Sequence, residues 1–167
     1  EKVIRDYSGC HITFHCECPQ ILEAASQART HEERRPEEAE VEAVRYVLRW
    51  VEEYGIKANV AHVSSQGALE LLQDRKDVTF EVTPHHLFFD TENRSEFERG
   101  ELLKMNPPLR GPATREVLLE AFRNNKIPFL ATDHAPHTLE EKLGDNPPSG
   151  VPLLDTYGLF VSWLLKK

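Results

Sequence analysis

Short apolar runs alternate with amphipathic stretches along the whole chain. Residues 10–16 (CHITFHC) predict a strand with His11, Thr13 and His15 on one face and Ile12 and Phe14 on the other. A polar stretch, 29–35, leads to Pro36, a residue suited to the first turn of a helix. Val41, Val44, Val47, Leu48 and Val51 then recur at helical spacing, and Gly55 supplies the stop. Glu37, Glu38 and Glu40 sit where a helix dipole favours negative charge. Residues 57–64 predict a second strand, and 66–73 a short helix. A third strand starts at 78 and ends near Pro84, because proline cannot donate to a ladder. Residues 88–111, which include Asn106-Pro107-Pro108, read as loop. Residues 113–125 predict a helix with Val117, Leu118 and Phe122 on one side, and 127–132 a fourth strand. Pro147, Pro148 and Gly150 mark a loop before an apolar helix over 153–165. Four strand–helix units in succession predict an α/β fold with a parallel sheet, whose buried strands should be almost continuously apolar, as these nearly are.

Length changes that picture. At 167 residues the chain can bury one ordinary core, but a complete (β/α)8 barrel takes about 250. A net charge of −8, concentrated in 32–42 and 92–101, argues against a nucleic-acid surface. No apolar run approaches the roughly 20 residues of a membrane span, and the charged residues 1–7 do not begin a signal peptide. Cys10, Cys16 and Cys18 are too few and too close for a disulfide framework, so a reducing, cytoplasmic setting is expected. Their nearness to His11 and His15 could suggest structural zinc, but no second pair at knuckle spacing follows.

Candidate chemistry lies where the strands end. His15, His62 and Asp133 each fall at the C-terminal end of a predicted strand, the rim on which parallel βα architectures collect functional groups. Two imidazoles and a carboxylate suit zinc. Each also has a plainer role: a strand histidine is commonly a hydrogen-bonded core residue, and an aspartate after an apolar strand commonly caps a turn.

The words around these residues are more specific. His15-Cys16-Glu17, Ala61-His62-Val63-Ser64-Ser65, EVTPHHL (81–87), KMNPPLR (104–110), ATDHAPH (131–137) and PSGVP (148–152) occur in that order. In wording and order they resemble the dihydroorotases of the amidohydrolase superfamily, over nearly the whole chain. The resemblance implies a metallo-dependent hydrolase fold, here a partial TIM-like (β/α)8 barrel made of strands five to eight with their helices. Residues 1–167 would then be the C-terminal part of a single catalytic domain. It further implies one or two zinc ions at the rim, with His15 and His62 as ligands. Asp133 would bind metal and carry the proton from water to the leaving ring nitrogen. Asn106 would contact the pyrimidine ring and His137 the substrate carboxylate. The implied reaction is the interconversion of dihydroorotate and N-carbamoyl-L-aspartate in pyrimidine biosynthesis, with no nucleic-acid or membrane partner.

Other residues take supporting roles on this resemblance. His85 and His86 would hold the loop after the seventh strand, and His134 would orient its neighbours. Lys104 and Arg110 would steer an anionic substrate or anchor loops. Cys16 should point toward the helices, and Cys18 stands where the family has Asp. The family's first strand carries a His-x-His pair and its fourth a bridging carboxylate. Neither occurs in this chain, so the expected site is half complete, with two open sheet edges that invite a homo-oligomer or a separate N-terminal half. The ligand set would also accept manganese or cobalt. An allantoinase or hydantoinase, or a non-catalytic half-barrel partner, are the alternative functions.

Overall fold

The computed structural model describes residues 2–166. In chain order the elements are α1 (Lys2–Asp6), β1 (His11–Phe14), α2 (Pro19–Ala24), α3 (Glu37–Tyr54), β2 (Lys57–Val60), α4 (Gln66–Leu72), β3 (Val78–Val82), α5 (Pro84–Phe88), α6 (Pro112–Arg123), β4 (Phe129–Leu130), α7 (Leu139–Lys142) and α8 (Tyr157–Leu165). The four strands form one sheet in chain order, β1-β2-β3-β4, and every pair is parallel. This is a mixed α/β fold that matches half of a TIM-like barrel.

The helix and strand boundaries follow local chemistry. Gly55 closes α3 in the left-handed conformation (φ 63°), which costs a residue without Cβ nothing. Ser65 opens α4 by accepting the Ala68 N–H. Gly67 lets α4 press against α3: a Cβ there would lie 2.8 Å from Val41 Cγ2. The expected strands over 57–64, 78–87 and 127–132 shorten to four, five and two residues, because the chain leaves the ladder as soon as it reaches the rim. Pro84, expected to end β3, also starts the one-turn helix α5, for which no periodicity prepares the reader.

The strands are not continuously apolar. The register aligns Thr13 with Asn59 and Asn59 with Thr79, while Phe14, Val60 and Phe80 align on the opposite face. That apolar face packs with Val44, Val47, Leu69, Leu72, Leu118 and Leu119 of the helices into one buried core. The polar face is tied within itself, Thr79 Oγ1 donating to Asn59 Oδ1 (2.8 Å) and Asn59 Nδ2 to Glu81 Oε2 (3.2 Å). A half-barrel covers only the outer face of its sheet with helices, so period-two alternation replaces the all-apolar pattern of a doubly covered strand.

Among the described residues, no strand pairs with the outer edge of β1 or of β4. The β4 edge is blunted by Tyr157 of α8, whose hydroxyl donates to the Leu130 carbonyl at 2.8 Å. No described helix is long and apolar enough to cross a membrane.

Candidate active site

Two of the predicted rim residues meet. His15, just past β1, and His62, just past β2, face each other with His15 Nδ1 3.0 Å from His62 Nε2 and their rings edge-to-face. The parallel β1–β2 register brings these strand ends together. His15 Nε2 is held 2.7 Å from Glu17 Oε2, and a carboxylate there fixes the proton on Nε2 and frees the Nδ1 lone pair toward His62. Arg35 grips the same carboxylate, Nε lying 2.9 Å from Glu17 Oε1 and Nη2 closing on Oε2. Burial opposes ionisation of Glu17, but the hydrogen bonds of His15 and Arg35 outweigh it and hold its pKa below the usual carboxylate range.

His62 is almost fully buried and its Nδ1 has no hydrogen-bond partner among the described residues. Burial, and then the adjacent His15, depress its pKa, while the Asp133 charge works in the opposite sense. Asp133 therefore lies within electrostatic reach of the imidazole pair. Both His62 (φ 38°) and Asp133 (φ 46°) adopt left-handed backbone, which costs a non-glycine residue about 1–3 kcal/mol and recurs at functional sites.

The other predicted residues lie in neighbouring loops. Asn106 has a buried Oδ1 that no group among the described residues meets. His137 is largely exposed and its Nε2 donates to the Ser149 carbonyl (3.2 Å). Among the described residues, no three His, Cys, Asp or Glu side chains come together in a group able to hold a metal ion. The donor chemistry of the His15–His62 pair nonetheless fits zinc: one oriented lone pair opposes a second ring nitrogen of a neutral, buried imidazole.

The supporting residues resolve as follows. His86 is buried, donates from Nε2 to the Pro107 carbonyl (3.1 Å) and accepts from Thr83 Oγ1 at Nδ1 (2.8 Å), so it holds the 104–110 loop. Burial drives its pKa down to about 3. His85 is fully buried with neither ring nitrogen partnered among the described residues, and desolvation keeps it neutral. His134 Nδ1 accepts the Leu154 N–H, which pins the approach to α8. Lys104 donates to the Pro147 carbonyl (2.6 Å), so it anchors a loop. Cys16 points into the core, and burial pushes its thiol to about 12, which makes it unreactive.

Glu40 lies in the first turn of α3 as expected, but buried, where its carboxylate accepts Ser64 N–H (2.8 Å) and Ser64 Oγ (2.9 Å) across the α3–α4 junction. Burial raises its pKa, against the opposing pull of Arg110 and the serines. Sequence reasoning missed it and Arg35, because a glutamate among glutamates and an arginine in a charged stretch carry no periodic signal. Glu17 stands inside the His15 motif, and that adjacency was the available clue.

A cleft of about 470 Å³ opens beside His15 and Glu17 at the free edge of β1, walled by Phe14, Tyr46 and Trp50. A larger cleft, about 660 Å³, runs past His31, Arg94 and Lys104 and contains neither imidazole.

Known proteins resemble this chain in sequence and fold. A dihydroorotase of Thermococcus kodakarensis is 39% identical over 160 residues, 93% of this chain and 36% of that protein. One from Pyrobaculum aerophilum is 37% identical over 147 residues, 88% of this chain and 35% of that protein. The structure of a D-hydantoinase from Thermus sp. superposes with a TM-score of 0.79 at 27% identity, over 95% of this chain and 41% of that one. This chain belongs to the amidohydrolase superfamily. A Saccharomyces cerevisiae dihydroorotase crystallised with 5-fluoroorotic acid shares the amidohydrolase fold at a TM-score of 0.75 and 18% identity, over 99% of this chain and 46% of that one. No family model matches the chain. The amidohydrolase segment spans about a third of the length of the curated relatives it matches.

Proposed function

We propose that this chain contributes half of the active-site rim of a zinc-dependent dihydroorotase, which interconverts dihydroorotate and N-carbamoyl-L-aspartate. The observation that carries this is the His15–His62 pair, two ring nitrogens 3.0 Å apart at adjacent strand ends with one ring proton committed to Glu17. The motif order around it and the two archaeal relatives favour dihydroorotate over other cyclic amides.

Zinc held by His15 and His62 would supply Lewis acidity that polarises the ring carbonyl and makes water more acidic. Water adds to that carbonyl, the ring C–N bond breaks, and Asp133 carries the proton from water to the leaving nitrogen. Asn106, with its unmet Oδ1, accepts a ring N–H. His137 meets the substrate carboxylate. Remaining metal ligands would come from residues beyond these 167, and the setting would be cytoplasmic.

A hydantoinase is the second reading, favoured by the 27% identity and close superposition of the Thermus D-hydantoinase. The test is ring opening of dihydroorotate, hydantoin and allantoin by the purified chain with Zn²⁺. It is run alone and mixed with the N-terminal part of the Thermococcus relative, with Asp133→Ala as control. Dihydroorotate turnover that disappears in Asp133→Ala supports the proposal. Preferential hydantoin turnover, or no turnover in either format, rejects it.

A further inference from the structure

One partly buried polar chain links His15 to the segment just past His62 by a route outside the direct contact of the two imidazoles. From His15 it runs to Glu17 and Arg35. Arg110 Nη1 then donates to the Arg35 carbonyl at 2.6 Å, while Arg110 Nε donates to Ser64 Oγ at 3.1 Å. Ser64 in turn gives both its N–H and its hydroxyl proton to Glu40. Ser64 is two residues beyond His62, in the turn that follows that residue's left-handed backbone. Arg110 is almost fully buried and touches both sides of this link, the Arg35 carbonyl and Ser64.

We infer that Arg110 is a positioning residue for the His15–His62 pair: its planar fork sets the separation of the post-β1 and post-β2 loops and so the approach of the two ring nitrogens. The inference rests on the proposed function for the purpose of the pair, but not for its geometry. The reasons are physical. A guanidinium donates in two fixed directions at once, whereas an ammonium is a single point charge on a flexible stem. The two acceptors belong to different loops, so their separation is set by the fork. Ser64 Oγ accepts from Arg110 while its one proton is committed to Glu40, so both contacts fix the hydroxyl's orientation.

The test is read without metal or substrate, which separates its failure from failure of the proposed reaction. Histidine side-chain ¹H–¹⁵N correlation spectra at fixed pH report the tautomer of each ring. In the unaltered chain, His15 should show a protonated Nε2 and His62 a single locked tautomer. Arg110→Gln should shift both rings toward tautomer-averaged values and leave His134 unmoved, with cooperative melting retained. Arg110→Lys should fold and yet fail to restore the locked pattern. Unchanged His15 and His62 signals in Arg110→Gln overturn the inference, as does full restoration by Arg110→Lys, which would assign the effect to charge alone. If Arg110→Gln does not fold, Ser64→Ala cuts the same link at its small end and decides. A shift confined to His15 and His62 supports the inference, and no shift, or loss of every histidine signal together, rejects it.

Discussion

Replacing Lys142 by methionine should loosen the loop that carries Gly150. Lys142, at the end of α7, is a buried lysine whose Nζ donates to three carbonyls: Lys104 (3.0 Å), Pro148 (3.1 Å) and Gly150 (2.9 Å). Its loss does not orphan all three, since Lys104 O keeps the Gly150 N–H at 2.9 Å. Two carbonyls, those of Pro148 and Gly150, lose the partner described for them, and an unmet buried acceptor costs about 1–3 kcal/mol. The gross loss is therefore about 2–6 kcal/mol. Methionine offsets part of it, because burial and the nearby Lys104 charge already disfavour the ammonium and pull its pKa down. About 2–4 kcal/mol is the expected net. The loop is peripheral, so the reading belongs at the Gly150 amide: native-state hydrogen exchange there should accelerate by roughly 30-fold or more. Exchange at Gly150 within threefold of the unaltered chain would refute the reasoning, since the carbonyls would then be met by water at no cost.

Three further outcomes are expected. Leu72→Ala, in the fully buried core, should cost about 2–5 kcal/mol in urea unfolding, and a loss under 1 kcal/mol would mean that the core there is not tightly packed. Gly150→Ala should fold poorly or displace the loop, because φ is +140° and the new Cβ would meet Ala135 O at 2.6 Å; unchanged thermal stability would contradict the geometry. Asp90 accepts the Glu92 and Asn93 amides and Arg115 Nε, and these hold its folded pKa below the usual value although burial opposes them. A lowered carboxylate pKa adds stability that is present above the unfolded value and lost as pH falls through the folded one. Asp90→Asn should therefore be the less stable chain at pH 7 and show a shallower loss from pH 5 to pH 2. Parallel pH profiles for the two chains would count against this.

Much of the fold was legible because it rests on repetition. The apolar spacing of Val44 and Val47 and the stop at Gly55 act locally, and the structure reproduces them with small shifts of boundary. Less legible were effects that need distant partners. Nothing near Glu40 announces that Ser64 lies opposite, and nothing in the 29–35 stretch sets Arg35 apart from Arg34, although one grips Glu17 and no bond is described for the other's side chain. For the site, strand-end placement brought His15 and His62 to the same corner, and strand alternation sent Cys16 into the core. The polar inner face of the sheet was missed for a different reason. Thr13, Asn59 and Thr79 look unremarkable singly and become a layer only once the register aligns them.

The sheet keeps the order of the chain, each strand lying beside the one made just before it. During synthesis, every new unit could dock on a surface already in place, with no strand reserved for a later arrival. Each unit also ends in its own rim loop, so a change in one loop need not re-register its neighbours. Growth by accretion and chemistry by separate loops are thus the same property, seen along the chain and then across it.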